Sequence, residues 1–210
     1  MSLFHFEENN SYRYGIWKME EEDEDHLRDL INEEIYPPFT NPGKRIEFLA
    51  VRALAKAMDL DPKKIAYFPS GRPYIENSAV NISISHTKGY AALLISPLKY
   101  VGIDIEQKSE RIFKVRSRFM HPKEESQLSG QKGEESTLLL LHWCAKESLF
   151  KAIPDEGVDF LSELRILHFS APAEKGSFKA RALRNNINFQ VDYRIEKDFV
   201  LTCCFAEGSR

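Results

Sequence analysis

The sequence predicts an α+β fold made of two similar lobes, in which antiparallel sheets pack against helices. In some segments apolar residues recur at helical spacing, and in others they alternate with polar residues on either side of a turn. Both patterns occur before and after residue 100, and 210 residues are enough for two small domains. We therefore place one lobe at 1–100 and the other at 101–210.

Composition and charge exclude several classes of protein. With 42% hydrophobic residues, 10 Gly and 10 Pro, the chain is neither disordered nor collagen-like. The 29 basic and 32 acidic residues give a net charge of −3, so we expect no binding to nucleic acid. The apolar stretch at Leu138–Leu141 is far shorter than a membrane span, and no secretory signal is recognisable. Three cysteines without a CxxC pair favour the reducing cytoplasm.

The first lobe is predicted to contain a strand, two helices and a hairpin. Acidic residues favour a helix N-terminus, and an apolar stripe marks the second helix. In chain order we expect a strand at 12–18, a helix begun by the acidic run 20–25 and ended at Pro37, a helix at 44–58, a turn at 70–73, and strands at 79–84 and 90–96 flanking a turn at 86–89.

The second lobe is predicted to contain a long apolar helix and a set of antiparallel strands. Proline and acidic residues typically occupy the first turn of a helix, and Pro154 would end the longest one. In chain order we expect a strand at 100–106, a helical or irregular segment at 111–119, a helix from 122, a helix at 137–152, and strands at 164–169, 178–183, 187–195 and 199–205.

Asp104 and Glu106 form the first candidate site. They are two residues apart on a predicted strand, so both carboxylates project from one face while Ile103 and Ile105 pack on the other. Like charges this close need a cation or basic partners, and carboxylate oxygens suit Mg²⁺. A solvent-facing pair at a strand end is the alternative, which these two residues alone leave open.

The long predicted helix carries the second candidate group. Trp143, Glu147 and Lys151 are spaced by four residues and share one helix face. An exposed Glu–Lys pair is the alternative, but this helix is apolar almost all round and should be largely buried. A buried Glu147 and Lys151 need partners, which Asp104 and Glu106 with a metal would supply.

Two further groups could bind an anion. Arg45, Arg52 and Lys56 point roughly the same way from the helix at 44–58, and they either receive a phosphate or form a solvated face. The segment Ser85–Gly89 places hydroxyls, an imidazole and an ammonium at a turn. A hairpin with an incidental histidine is the alternative there, and a Ser–His hydrolase dyad is disfavoured because no Gly-x-Ser-x-Gly elbow is present.

Residues 107–123 form a basic and apolar segment. It contains six lysines and arginines against one acid, Glu110, mixed with aliphatic and aromatic residues. This pattern fits an acidic amphipathic helix of a protein partner, and an ordinary mixed-charge loop is the alternative. The residues that we expect to form the docking surface are Arg111, Lys114, Arg116, Arg118 and Phe119.

Three segments together resemble the signature motifs of the 4'-phosphopantetheinyl transferase superfamily. They are Asn81–Thr87, Val101–Glu106 and Trp143–Lys151, and Arg45–Arg52 and Gly71–Tyr74 are similar to the family's further CoA-binding segments. Gly-x-Asp-x-Glu followed by Trp-x-x-Lys-Glu-x-x-x-Lys is a specific combination, whereas either motif alone is weak. The length is similar to the surfactin-synthetase-type (Sfp-like) group, whose members are monomers built as a pseudo-dimer of two lobes.

The resemblance implies Mg²⁺-dependent transfer of the phosphopantetheine arm from coenzyme A to a serine of an apo acyl or peptidyl carrier protein, with release of 3',5'-ADP. It implies that Asp104, Glu106 and Glu147 bind the metal, and that Asp104, Glu147 and Lys151 are catalytic. The residues implied to contact CoA are Arg45, Arg72, Ser85, His86, Lys146 and Lys151. Arg72 departs from the lysine of many members, although arginine also binds phosphate. The lobe at 1–100 would contact the nucleotide, and the lobe at 101–210 would hold the metal and dock the carrier.

Two alternatives compete with this interpretation. A metal-dependent phosphohydrolase would need a second metal cluster or a further acid–base pair, and the sequence suggests neither. A non-catalytic CoA-binding or carrier-binding module would have no need for three carboxylates at one site. We therefore expect an enzyme, a holo-carrier-protein synthase.

Overall fold

The structure is a computed structural model that describes residues 3–19, 24–32, 34–128, 134–153, 157–167 and 173–208. The chain divides into two units, Met1–Pro97 and Leu98–Arg210. Each unit combines antiparallel strands with packed helices, which confirms the predicted α+β class. None of the helices within the described ranges is long and apolar enough to cross a membrane.

The first unit is a four-stranded antiparallel sheet covered by a long helix. Its elements are β1 (Leu3–Glu8), β2 (Arg13–Lys18), α1 (Glu24–Ile31), α2 (Pro42–Ala57), β3 (Ile65–Tyr67), β4 (Pro73–Ile75), β5 (Asn81–Thr87) and β6 (Tyr90–Ser96). The sheet order is β1-β2-β6-β5, and β3 and β4 form a separate small hairpin. Helix α2 begins at Pro42 because the Asn41 side chain accepts the Lys44 N–H at 3.1 Å. Its apolar stripe packs on β2 and β6.

Most predicted elements of the first unit are confirmed, with corrections at the first helix and at the hairpin turn. Helix α1 ends at Ile31 and not at Pro37, because Asn32 adopts φ +49°, a left-handed conformation that ends a helix. His86 and Thr87 belong to β5, paired with Ala91 and Tyr90, so the turn is only Lys88 and Gly89. Gly89 has φ +82°, which a two-residue hairpin turn requires. The sequence analysis did not predict β1, β3 or β4. The first part of the acidic run, residues 20–23, lies outside the described residues.

The second unit is a five-stranded antiparallel sheet with α5 packed across it. Its elements are β7 (Val101–Gln107), α3 (Ile112–Val115), a 3₁₀ turn (Arg116–Arg118), α4 (Pro122–Leu128), α5 (Glu135–Ala152), β8 (Leu164–Ile166), β9 (Lys175–Ala182), β10 (Ile187–Ile195) and β11 (Phe199–Ala206). The sheet order is β7-β11-β10-β9-β8. Leucines of α5 and apolar residues of β9, β10 and β11 form one core beneath the helix. The predicted helix end at Pro154 and residues 168–169 of a predicted strand lie outside the described residues.

Candidate active site

Gly102 allows helix α5 to lie directly against strand β7. A Cβ atom at this position would be 1.9 Å from the backbone oxygen of Ser148, so a larger residue would displace the helix. Side chains alternate along a strand, and therefore Asp104 and Glu106 project from the same face as position 102. The close approach of the two backbones consequently sets both carboxylates opposite α5.

Helix α5 meets these carboxylates with side chains from one of its faces. Trp143 Nε1 donates a hydrogen bond to Glu106 Oε1 at 2.8 Å. Lys151 Nζ donates to Asp104 Oδ1 at 2.8 Å and to a backbone oxygen of β7 at 3.2 Å. Glu147 lies on the same face, one turn from both Trp143 and Lys151. The structure thus places side by side the two groups of residues that were expected from the sequence to be partners.

Burial and mutual repulsion perturb the ionisation of this cluster. Burial raises the pKa of Glu147 to about 7, with the charge of Asp104 adding to the effect and that of Lys151 opposing it. Burial and then Asp104 also raise the pKa of Glu106, which the bond from Trp143 partly offsets. Burial by itself would lower the pKa of Lys151, but Asp104 outweighs it and the pKa is raised. The Lys151 ammonium therefore stays charged and is outnumbered by carboxyl groups.

The donor chemistry of the cluster fits a hard divalent cation. Asp104, Glu106 and Glu147 offer the carboxylate oxygens that Mg²⁺ prefers, and a cation would relieve their repulsion. Within the described ranges, no group of three His, Cys, Asp or Glu side chains is already arranged as a metal site. Mg²⁺ usually keeps several waters and takes substrate phosphates as ligands. The three carboxylates therefore fit as one part of a coordination shell that a phosphorylated ligand would complete.

The predicted basic stripe on α2 is engaged by other parts of the first unit. Arg45 forms a two-pronged ion pair with Glu24, with Nη2 2.6 Å from Oε2. Arg52 is buried, and its guanidinium lies 3.3 Å from the centre of the Phe48 ring. Lys56 Nζ donates to the last carbonyl of α1 at 2.5 Å. The three side chains are thus held by three different protein groups and do not form one shared cradle.

The remaining predicted phosphate-binding residues lie at β4 and β5. His86 is 51% exposed at the end of β5, and its Nε2 is 3.6 Å from a Glu47 carboxylate oxygen. Ser85 is buried beside it in the same strand. Arg72 is partly buried just before β4, where its backbone oxygen accepts the Phe68 N–H at 2.9 Å. Of these residues, His86 has the most accessible side chain.

Lys146 occupies a different environment from the one expected for a CoA contact. Its side chain is fully buried and donates to Glu124 Oε2 at 2.7 Å, Phe119 O at 2.6 Å and Phe160 O at 3.0 Å. Burial lowers the pKa of Lys146, which the Glu124 carboxylate opposes. An ammonium has three N–H groups, and these bonds use all of them. We therefore correct this assignment: Lys146 is a structural residue and leaves the set of CoA contacts.

The predicted docking surface needs one correction. Phe119 is fully buried, so it cannot contribute to a surface. Arg116 is bound by two carboxylates, with Nε 2.7 Å from Glu125 Oε1 and Nη1 2.6 Å from Glu135 Oε1, and its docking role stays a prediction. Of the other predicted docking residues, Arg111, Lys114 and Arg118 are exposed, and the neighbouring Phe113 is 38% exposed.

Two roles were not predicted from the sequence, those of Trp143 and Glu124. The spacing of four residues correctly placed Trp143 on the helix face of Glu147, but its hydrogen bond to Glu106 was not predicted. Glu124 is fully buried and accepts bonds from Lys146, from the His121 N–H at 2.9 Å and from the Ile166 N–H at 2.7 Å. No local pattern distinguishes it from the exposed acids of a first helical turn.

Comparison with known proteins identifies the family. The family model of the 4'-phosphopantetheinyl transferase superfamily matches residues 100–204, which is half of the chain. The chain belongs to the 4'-phosphopantetheinyl transferase superfamily. The matched region of this superfamily member runs from β7 into β11 and contains every residue of the cluster between Asp104 and Lys151.

Curated proteins of the superfamily are similar to this chain over part of their length. A 4'-phosphopantetheinyl transferase of Bacillus subtilis is 32% identical over 109 residues, which are 50% of this chain and 48% of the relative. A Haemophilus influenzae protein given the same name with a provisional qualifier is 25% identical over 156 residues, which are 67% of this chain and 65% of the relative. The chain therefore spans less than two thirds of the length of each of these relatives.

Proposed function

We propose that this superfamily member is a 4'-phosphopantetheinyl transferase. It would move the phosphopantetheine arm of coenzyme A onto a serine hydroxyl of an apo carrier protein and release 3',5'-ADP. The observation that carries the proposal is the packing of α5 on β7, which sets Asp104, Glu106, Glu147 and Lys151 beside one another. The names of the two relatives support the same activity.

Asp104, Glu106 and Glu147 would hold Mg²⁺ in this proposal. When bound, the ion would neutralise charge on the pyrophosphate of CoA. Lys151 would contribute a second positive charge, since Asp104 keeps its ammonium protonated. Because Lys151 lies 2.8 Å from Asp104, it would also fix that carboxylate for the phosphate-bearing substrate.

Glu147 is the residue that would take the proton of the carrier serine. Without a metal, burial raises the pKa of Glu147 to about 7. A bound cation would lower this pKa, so the carboxylate would be ionised and able to accept the proton, directly or through a water. The serine oxygen would bond to the phosphorus that carries the pantetheine arm, and the bond from that phosphorus to 3',5'-ADP would break. The proton would pass from the hydroxyl to Glu147.

The first unit would bind the nucleotide end of CoA. Arg45, Arg72, Ser85 and His86 provide guanidinium, hydroxyl and imidazole groups that suit phosphate. Arg45 would exchange its Glu24 partner for a phosphate oxygen. That exchange should cost little, because Arg45 and Glu24 each keep more than a quarter of their side-chain surface exposed and such ion pairs are weak.

The carrier would dock on the exposed basic part of the second unit. Arg111, Lys114 and Arg118 are exposed and lie within five residues of the exposed Phe113 along the chain, which would suit an acidic amphipathic helix of an acyl or peptidyl carrier, for example one of fatty acid biosynthesis. We propose that the enzyme acts on it in the cytoplasm as a monomer of the surfactin-synthetase-type group.

Intact-mass spectrometry of apo carrier proteins incubated with the protein, CoA and Mg²⁺ tests the proposal. We expect a mass gain equal to the phosphopantetheine arm, which a chelator and the substitution Glu147→Gln both abolish. Glu174→Gln is the matched control, because it removes an exposed carboxylate in the same unit next to β9, which β10 and β11 separate from β7. Bound CoA without any gain on several apo carriers would instead favour a non-catalytic CoA-binding module.

A further inference from the structure

The indole of Trp143 is held between two aromatic rings. The Phe119 ring lies edge-on to it, with centroids 5.3 Å apart and an interplanar angle of 68°, and the Phe160 ring lies 5.6 Å away. Such contacts have preferred geometries, and Phe119 is fully buried. The packing therefore determines the plane of the indole and the direction of its N–H.

Lys146 fixes the two segments that carry these rings. Its ammonium donates to the backbone oxygens of Phe119 at 2.6 Å and Phe160 at 3.0 Å, and its charge is balanced by Glu124 at 2.7 Å. A buried polar network in which every donor is satisfied is rigid and specifies one arrangement of its neighbours. Lys146 lies on α5 one turn after Trp143, so the same helix carries the indole and the anchor of the rings around it.

The indole N–H of Trp143 points at the carboxylate of Glu106. Trp143 Nε1 donates to Glu106 Oε1 at 2.8 Å, which is a charge-assisted bond when the carboxyl group is ionised. A glutamate side chain has three rotatable bonds, and this contact fixes the last of them. With Oε1 bound to the indole, Oε2 is the carboxylate oxygen left to bind a ligand.

We propose that Trp143 is a positioning residue that orients the carboxylate of Glu106, with Phe119 and Phe160 clamping the indole and Lys146 anchoring both rings. The inference rests on the proposed function, because that function makes Glu106 a metal ligand. Carboxylate ligands generally depend on such hydrogen-bonding partners for their orientation.

The substitution Trp143→Phe tests this role, because it keeps an aromatic ring between Phe119 and Phe160 and removes the N–H. Trp17→Phe is the matched control, since Trp17 is the second of the two tryptophans and is buried in the first unit. We would measure Mn²⁺ binding by electron paramagnetic resonance with CoA at saturation. Trp143→Phe should weaken binding about 10-fold and raise the KM for the metal more than it lowers kcat, whereas Trp17→Phe should leave both unchanged.

The indole N–H resonance of Trp143 provides a readout that is independent of metal and of activity. In ¹⁵N-labelled protein, Glu106→Gln should move the Trp143 indole cross-peak and leave that of Trp17 in place. An unmoved cross-peak would overturn the inference, and this spectrum decides even if Trp143→Phe fails to fold. If Trp143→Phe binds Mn²⁺ with wild-type affinity, the positioning role of Trp143 is overturned while the proposed function stands. Failure of the wild-type protein with CoA to bind Mn²⁺ would overturn the proposed function and the inference with it.

Discussion

The substitution Gly102→Ala should displace the strand and the helix that form the candidate site from each other. A Cβ atom at position 102 would be 1.9 Å from the Ser148 oxygen and 3.2 Å from the Ala152 nitrogen, and both atoms are backbone of α5. Backbone cannot move aside as a flexible side chain can. The helix and the strand must therefore separate if the alanine is to fit.

The size of the effect follows from that separation. Ordinary contact with a Cβ atom begins at 3.4 Å, so the distance of 1.9 Å is about 1.5 Å too short. Glu147 directly precedes Ser148, whereas Asp104 and Glu106 follow position 102, and the shift therefore acts between these carboxylates. A misplacement of about 1 Å can cost about 100-fold in rate, and overpacking of a core typically costs about 1–3 kcal/mol. We therefore expect Gly102→Ala to lower both the transfer rate and the free energy of unfolding by about these amounts.

Urea denaturation and carrier-labelling kinetics would measure the two losses. The matched control is Gly176→Ala in β9 of the same sheet, where the added Cβ would meet the end of the Tyr193 side chain at 2.4 Å. Tyr193 is buried and packs on Phe178, so this variant should also lose about 1–3 kcal/mol by overpacking. Because β10 and β11 separate β9 from β7, its rate should stay close to that of the wild type. If Gly102→Ala keeps the wild-type rate and stability, the close packing of α5 on β7 does not align the site.

Three further predictions follow from the ion pairs and the carboxyl groups. Lys146→Met should lower the free energy of unfolding by about 3–5 kcal/mol, because Glu124 would remain as an unpaired buried charge. In urea denaturation, the double variant with Glu124→Leu should recover most of this loss. A double variant as unstable as Lys146→Met alone would contradict the buried Lys146–Glu124 network. In metal-free protein, the raised pKa of Glu147 contributes to the free energy of unfolding fully below about pH 4.5, and this contribution is lost as the pH rises through about 7. Glu147→Gln should flatten this decline of stability with pH. An unchanged decline would show that other groups cause it. The double variant Arg111→Glu, Lys114→Glu should raise the KM for the carrier and make that KM less dependent on salt, while the KM for CoA stays constant. A rise in the KM for CoA alone would place the docking surface elsewhere.

Elements with a strong period could be predicted from the sequence. The apolar stripe of α2 and the alternation in β10 gave bounds within two residues of those observed. Strands β3 and β4 have only three residues each, which is too short for any period to appear. Apolar and polar residues alternate in part of β1, but Leu3, Phe4 and Phe6 are exposed. This alternation therefore does not mark a strand with one buried face.

The candidate site was predictable in its residue types and only partly in its geometry. The helix α5 is apolar almost all round, so its sequence does not reveal which side faces the sheet and which faces the rest of the core. Adjacent helical residues point about 100° apart, and this rotation sends Lys146 into the interior while Glu147 faces β7. The burial of Phe119 was hidden for a related reason, because the segment around it has neither a helical nor a strand period.

A comparison of the two units explains why only the second carries the acidic cluster. In each unit a glycine-containing strand, β2 or β7, pairs with the unit's last strand and lies beneath a long helix. A Cβ atom at Gly15 of β2 would meet the Leu54 side chain of α2 at 2.7 Å, whereas one at Gly102 would meet the backbone of α5 at 1.9 Å. Two residues after that glycine, β2 has the buried Trp17, whereas β7 has Asp104. An apolar residue at this position gives an ordinary core, while charged groups there cost free energy unless they are paired. The second unit bears that cost at the position where the proposed transferase would need its carboxylates, which is the pattern expected when local stability is given up for chemistry.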